Sequence, residues 1–299
     1  MTGGDEQPKM HADEIGVDRN LVEGLIASQF ARWSGLELRR TKASGTDNVI
    51  YRLGRDMGVR LPKIWWAVDQ VEKEWRWLPA LARDLPVEVP EPLAVGKPDL
   101  GYPHSWLVYR WLEGTDLEED RNVDWAALAE DLARFASSMS RLSADDAPLF
   151  RRTLLSDDQA TRRSIDALDP VFRADRLLRL WEEALDSESG FDGAGCWVHG
   201  DLLPGNIIHR SGRMTGIIDW SVAGVGDPSR DLMIAWAMPE ETRSVYRALI
   251  GLDDAAWSRG RGWVIDQCSQ YIVYYRDTIP AAVAGAERRL LAVLEEGGL

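Results

Sequence analysis

Cysteine is nearly absent. Cys196 and Cys268 are the only two in 299 residues, too few for a disulfide framework or a Cys-rich metal centre. Long apolar runs are missing as well: no uninterrupted stretch approaches the roughly 18 residues that a membrane helix requires. Met1–Asn20 is polar and acidic, without the positive segment and apolar core of a signal peptide. Positive charge is in deficit, with 35 Lys and Arg against 49 Asp and Glu and a formal net charge of −14. A phosphate-backbone binder neutralises its ligand with clustered Lys and Arg, so no nucleic-acid partner is expected. Internal repeats and low-complexity tracts are also lacking. These absences leave a cytoplasmic globular enzyme as the expected class, with no membrane partner.

What is present is enough apolar material for two packed lobes: 45% of residues are hydrophobic, and 14 are Trp. Residues 1–17 have little apolar periodicity and read as a mobile tail. Asp18 is placed to cap a helix in which Leu21, Leu25, Ile26 and Phe30 recur at helical spacing. The period then shortens. Leu36–Thr41, Asn48–Leu53 and Met57–Leu61 read as three antiparallel strands on tight connections. Ile64–Arg83 returns to helix, with Pro79 as a candidate end or kink. A Pro-rich stretch from Pro86 to Pro103 follows, then a strand-length apolar run, Trp106–Leu112. The rest is mainly helical, over Trp125–Leu142, Pro170–Leu185, Ser229–Trp236, Glu240–Leu249, Ala255–Thr278 and Ala281–Glu296. One hairpin, Asn206–His209 with Met214–Ile218, interrupts it. The expected fold is α+β, with a sheet-bearing N-terminal lobe (18–112) and a helical C-terminal lobe (113–299).

The chemistry concentrates in Val198-His199-Gly200-Asp201-Leu202-Leu203-Pro204-Gly205-Asn206, followed by Gly216-Ile217-Ile218-Asp219-Trp220. Phosphoryl transfer needs one carboxylate to orient an attacking hydroxyl and take its proton. It also needs an acid and an amide oxygen for Mg²⁺, a hard cation that prefers oxygen. Asp201 and Asn206 lie five apart, the spacing of a kinase catalytic loop, and Asp219 follows after a hairpin, as the metal-binding Asp of kinases does. His199 reads as a hydrogen-bonding post for the loop rather than a base.

Together with Gly226-Asp227-Pro228-Ser229-Arg230-Asp231-Leu232, Asn48-Val49-Ile50-Tyr51-Arg52-Leu53, Glu74-Trp75-Arg76-Trp77-Leu78 and Val108-Tyr109-Arg110-Trp111-Leu112-Glu113-Gly114, these segments resemble the aminoglycoside phosphotransferase family. The resemblance runs from about Val17 to Pro280. It implies a bilobal protein-kinase-like fold and Mg²⁺-dependent transfer of the γ-phosphate of ATP or GTP to a hydroxyl of a small molecule. It makes Asp201 the catalytic base, Asn206 and Asp219 the Mg²⁺ ligands, and Asp231 the acid bracing the catalytic loop. Ser44, Gly45 and Thr46 fall in the nucleotide-covering loop. Arg60 falls where the family usually has Lys, with Glu74 as its acidic partner, and Arg55 and Lys63 are neighbouring competitors for that role. The backbone C=O of Arg110 and N–H of Leu112 fall where the purine is addressed. Two departures stand out: Arg replaces Lys at position 60, and there is no Gly-x-Gly-x-x-Gly loop.

The acceptor is expected on the helical lobe. There the family grips polycations with acids, for which Asp116, Glu118, Glu119, Asp120, Asp157, Asp158, Asp266 and Asp277 are candidates. On the segment 263–277, Asp266 shares a face with Gln270, and Gln270 with Tyr274, so Asp266, Gln270, Tyr274 and Asp277 form a possible pocket wall. The acidic surplus suits a small, hydroxylated and cationic acceptor, an aminoglycoside first. A macrolide, nucleoside antibiotic or metabolite is the alternative acceptor on this fold, and a regulatory pseudokinase the alternative class. The chain is expected as a monomer or homodimer.

Overall fold

The computed structural model describes residues 14–41, 47–189, 193, 195–277 and 280–296. The chain divides into two compact units. One comprises the described residues of Met1–Asp84 together with Glu88–Glu113, the other Leu85–Val87 with Gly114–Leu299.

The first unit opens with α1 (Arg19–Gln29), capped as its sequence requires: Asp18 Oδ1 accepts the Leu21 N–H at 2.8 Å. β1 (Leu38–Arg40), β2 (Asn48–Leu53) and β3 (Met57–Pro62) follow. Then come a 3₁₀ turn at Trp65–Ala67, the long α2 (Val68–Asp84), β4 (Pro92–Gly96) and β5 (Trp106–Arg110). All five strands pair antiparallel in the order β1-β2-β3-β5-β4. Val22, Leu25 and Ile26 of α1 close one face of this sheet over Leu38, Val49, Tyr51, Val59 and Trp106. Each such apolar side chain contributes about 1.5–3 kcal/mol on burial.

The helix runs through Pro79 to Asp84, one residue past the expected Arg83, so Pro79 does not end it. Pro79 sits on the exposed face, where the carbonyl it leaves unbonded can turn to water. The Pro-rich stretch hides β4, whose single-residue alternation of burial is masked by flanking prolines.

The second unit contains β6 (Thr115–Asp116), α3 (Trp125–Met139), α4 (Leu154–Asp166), α5 (Ala174–Glu188), β7 (Cys196–Val198), β8 (Ile207–Arg210), β9 (Arg213–Ile217) and β10 (Gly224–Gly226). A tight 3₁₀ helix at Pro228–Ala237 leads into α6 (Glu240–Ile250), α7 (Asp254–Tyr275) and α8 (Pro280–Glu296). Helix α4 is an addition to the sequence reading; only Leu154, Thr161 and Ile165 of its thirteen residues are buried, so its apolar stripe is thin. The strands β6, β7 and β10 are also additions, each two or three residues long. Helix α7 packs on α4, α5 and α8 and forms the axis of this unit. Among the described residues, no helix is long and apolar enough to cross a membrane.

Candidate active site

The catalytic segment is built on the β8–β9 hairpin. Ile207 pairs with Ile217, and one step further out the Ile218 N–H donates to the Asn206 carbonyl at 2.9 Å. The hairpin therefore brings Asn206 beside Ile218, the residue preceding Asp219, although the two lie twelve positions apart in sequence. Asn206 Nδ2 donates to the Asp201 carbonyl at 2.8 Å and to Asp201 Oδ2 at 3.1 Å. Asp201, Asn206 and Asp219 are thus gathered by backbone ladder and side chain alike.

The loop around Asp201 is held from beneath. The Asp231 carboxylate accepts the His199 N–H at 2.7 Å and the Gly200 N–H at 2.8 Å. Arg230 Nε donates to the Gly200 carbonyl at 2.7 Å, and its guanidinium lies 4.6 Å from the Trp263 ring centre. Gly200 has φ +80°, and a Cβ there would come within 2.9 Å of the Phe150 ring, so only glycine turns the chain at this point. His199 is fully buried. Its Nδ1 accepts the Asp201 N–H at 3.3 Å, so Nε2 carries the proton and donates to the Ile218 carbonyl at 3.0 Å. The imidazole thereby ties the Asp201 turn to the end of β9. Burial pushes the Asp231 carboxyl above its ordinary value, against the pull of His199 and the two loop amides. It pushes Arg230 down to about 10.

Gln267 reaches the catalytic loop from α7. Its Nε2 donates to Asp201 Oδ1 at 2.7 Å, so both carboxylate oxygens of Asp201 carry a donor, one from the loop and one from α7. Nothing local in the sequence announces this contact, which spans 66 positions; only its place among polar groups on an otherwise buried helix hinted at it. A hydrogen bond to a charged group contributes about 1.5–3 kcal/mol. Gln267→Ala is therefore expected to lower kcat about ten- to a hundred-fold and leave nucleotide KM unchanged. Steady-state kinetics with varied nucleotide would check this.

Asp219 sits at φ +60°, an uncommon conformation for a residue with a side chain. Its Oδ1 is buried and accepts no hydrogen bond from the described residues. With Asn206 Nδ2 committed to Asp201, the Asn206 amide oxygen is left for another partner. An orphaned carboxylate oxygen and an amide oxygen on one hairpin fit Mg²⁺, which typically takes one or two protein ligands and completes its shell with phosphate and water. Among the described residues, no group of three or more His, Cys, Asp or Glu forms a metal site without such help.

In the sheet-bearing unit, Arg60 and Glu74 meet through two contacts, Nη1 to Oε1 at 2.8 Å and Nη2 to Oε2 at 2.7 Å, both side chains buried. Lys63 pairs instead with Glu14 at 3.2 Å, and Arg55 is exposed. Arg110 ends β5, its N–H donating to the Glu91 carbonyl at 2.8 Å, and Leu112 is buried. Ser44, Gly45 and Thr46 lie outside the described residues.

The expected acceptor wall requires correction at Asp266. It is 0% exposed, and its carboxylate is consumed by Arg152 Nη2 at 3.0 Å, Thr161 Oγ1 at 2.7 Å and the Gln270 amide. It joins α4 to α7 and presents nothing to solvent. Tyr274 and Asp277 are exposed, and Gln270 is half-buried. Burial raises the Asp266 carboxyl. The unfolded chain therefore releases this proton at lower pH than the folded one, and the contribution of Asp266 to stability declines as pH rises above the ordinary carboxylate range. Asp266→Asn removes that dependence. The stability difference, wild type minus variant, is expected to be larger near pH 4 than at pH 7 in paired denaturant titrations.

A loop that presents an aspartate with both oxygens held, an asparagine five residues on and a second aspartate across a hairpin equips a protein to move phosphoryl groups to an alcohol. The chain belongs to the phosphotransferase enzyme family, whose model matches residues 40–263. It is similar to the uncharacterized protein YcbJ of Bacillus subtilis (strain 168), 26% identical over 297 residues, 89% of this chain and 90% of YcbJ. The solved GDP complex of wild-type aminoglycoside 2'-phosphotransferase-IIIa superimposes with a TM-score of 0.76 at 21% identity, covering 94% of this chain and 100% of that one. A macrolide 2'-phosphotransferase from Brachybacterium faecium gives 0.57 at 21% identity, over 92% of this chain and 97% of the other. The fold is thus the kinase-like α+β fold of these enzymes, as the sequence implied.

Proposed function

We propose that this enzyme transfers the γ-phosphate of ATP or GTP, with Mg²⁺, to a hydroxyl of a small molecule. The observation that supports it is the convergence of Asp201, Asn206 and Asp219 on one hairpin. Asp201 orients the acceptor hydroxyl and takes its proton. Gln267 and Asn206 keep its carboxylate in place. Asn206 and Asp219 would hold Mg²⁺, which when bound offsets phosphate charge. Arg60, fixed by Glu74, serves the nucleotide phosphates, and the backbone of Arg110 and Leu112 serves the base. Positioning and charge stabilisation account for the catalysis, without a covalent enzyme intermediate.

For the acceptor, the structural neighbours include aminoglycoside and macrolide phosphotransferases. The expectation of a polycationic aminoglycoside rested on surplus acid and on the commonest role of the family. Of the candidate acids, Asp157 and Asp266 are matched by Arg152, Asp158 by Arg162 and Glu118 by Arg288, while Glu119 and Asp277 stay exposed. Asp116 is engaged by the Glu118 and Glu119 amides. This favours the second reading, a macrolide, nucleoside or metabolite acceptor. Phosphate transfer from ATP and GTP across aminoglycosides, macrolides, nucleosides and hydroxylated metabolites, with Asp201→Ala as blank, tests both. Turnover confined to aminoglycosides would overturn the second reading, and silence across the panel with no nucleotide bound would overturn the first.

A further inference from the structure

Asp201 is bordered on its loop side by apolar side chains and on its helix side by an amide followed by aromatic rings. A Cβ on the preceding residue, Gly200, would come within 2.9 Å of the Phe150 ring and 3.2 Å of Val222 Cγ2. Both side chains therefore lie against the turn that presents the base. Phe150 is fixed there by its backbone, whose N–H donates to the Val225 carbonyl on β10 at 2.9 Å. Its ring meets that of Trp263 on α7 at 6.2 Å, nearly edge-on. Val222 is 41% exposed, an apolar group left open to solvent beside the base.

On α7, Gln267 touches Asp201 Oδ1 at 2.7 Å. Tyr271 and Tyr274 follow at i+4 and i+7 on the same face of the helix. Helical side chains lean toward the N-terminus, so the Tyr271 ring is carried back toward the turn of Gln267. Tyr275 is buried, and its ring lies 4.6 Å from Tyr271 and 4.7 Å from Tyr274, backing both. Tyr274 is 57% exposed and Tyr271 half-buried. Burial chiefly raises the Tyr271 hydroxyl, opposed by Arg289 and helped by Glu118 and Asp201; the phenol stays neutral at working pH. Charged groups nearby are spoken for or displaced. Asp266 is consumed by Arg152 and Thr161, Arg289 faces Glu118 at 3.8 Å, and Asp277 falls past the end of α7. The surface running out from the base is thus aromatic and uncharged.

We propose that the acceptor is an uncharged alcohol bearing a flat unsaturated ring, which packs on Tyr271 and Tyr274 while the hydroxyl meets Asp201 and an aliphatic edge rests on Val222. Gln267 and Tyr271 stand one helical turn apart, about 5.4 Å, which sets the separation of hydroxyl and ring. A nucleoside and an arylalkanol share this chemistry. The inference rests on the reading of Asp201 as the base of a kinase and narrows the acceptor within it. Transfer breaks the bond from the γ-phosphorus to the β–γ bridging oxygen and forms one to the alcohol oxygen, whose proton passes to Asp201. Tyr271 and Tyr274 select the ring through stacking, which favours unsaturated over saturated rings of equal size, and take no part in that step.

The test is calorimetric titration of the full chain, with the nucleotide site kept filled by Mg·ADP or Mg·GDP, whichever binds. The probes are phenethyl alcohol, its ring-hydrogenated counterpart cyclohexylethanol, uridine, and the polycation neamine. Phenethyl alcohol or uridine is expected to bind at least tenfold more tightly than cyclohexylethanol and neamine, and the tighter of the two separates an arylalkanol from a nucleoside. That probe is expected to weaken about tenfold in Tyr271→Leu, or about 1.4 kcal/mol, and to recover in Tyr271→Phe, which keeps the ring. With ATP or GTP as donor, phosphate transfer to the same probe should show a raised acceptor KM in Tyr271→Leu at an unchanged kcat. Melting curves accompany each variant, and should Tyr271→Leu fail to fold, the exposed Tyr274→Ala decides by the same loss of affinity. Cyclohexylethanol or neamine binding as tightly as the flat-ring probes would overturn the inference. So would affinity unchanged in the tyrosine variants, or binding without phosphate transfer, which would place the ring away from the base. Those results, with Mg·nucleotide bound, leave the kinase reading standing; failure to bind either nucleotide would overturn that reading and this inference with it.

Discussion

Asp201→Ala is expected to lower kcat by about 10²–10⁴-fold while Mg·nucleotide still binds and the melting temperature scarcely moves. The carboxylate accepts hydrogen bonds from Gln267 and Asn206, and neither of these donors holds the fold together. Asn206 Nδ2 also bonds the Asp201 carbonyl, which alanine keeps. What alanine removes is the acceptor for the substrate proton and the group that aims the hydroxyl. The remaining charge stabilisation sets the residual rate. Single-turnover phosphate release and nucleotide titration on the same preparation would check the split. A variant that turns over at the wild-type rate would place the base elsewhere on the loop, and one that loses nucleotide binding would make Asp201 a fold element.

The comparison with Gln267 sharpens this. Gln267 touches only one oxygen of Asp201, so its loss weakens the aim of the base without removing it. A rate loss in Gln267→Ala as large as that in Asp201→Ala would mean that α7 supplies a group to the substrate directly. The buried Oε1 of Gln267, which accepts no hydrogen bond among the described residues, is the atom that would do so.

Much of this site is legible in the sequence, for a physical reason. The residues proposed to carry phosphoryl transfer lie beside one short hairpin, where spacing in sequence fixes spacing in space. Asp201, Asn206 and Asp219 could therefore be read from their order, and Asp18 from its place ahead of an apolar helical stripe. Gln267 and the Arg152–Asp266 contact could not. They bridge 66 and 114 positions, and only the packing of α7 against its neighbours brings them together. Asp266 shows the same limit in reverse: a carboxylate on a helix looks solvent-facing until the arginine that buries it is known. Helix α4 and strand β4 escaped because a thin apolar stripe and flanking prolines obscure the periodicities that announce helix and strand.

Asp231→Ala should have the opposite profile to Asp201→Ala, with the larger loss in stability. Asp231 is 8% exposed, and its carboxylate is the acceptor for two consecutive loop amides, those of His199 and Gly200. Removing it strands two buried N–H groups at about 1–3 kcal/mol each and leaves Arg230 with one fewer counter-charge beside it. A loss of about 3–5 kcal/mol is expected, a large part of the 5–15 kcal/mol that holds a typical domain together, and a fall in melting temperature on the order of 10 °C. Asp231→Asn keeps one carbonyl acceptor but turns an amide donor toward the other N–H, so it should recover only part of the loss. Activity falls in both variants because the Gly200 turn that aims Asp201 loses its floor. Denaturant titration separates this from a direct catalytic effect: at temperatures where the Asn variant is still folded, its kcat deficit should exceed its deficit in nucleotide binding. An Asp231→Ala protein as stable as wild type would show that water reaches the two amides, and that Arg230 and Gly200 alone carry the loop.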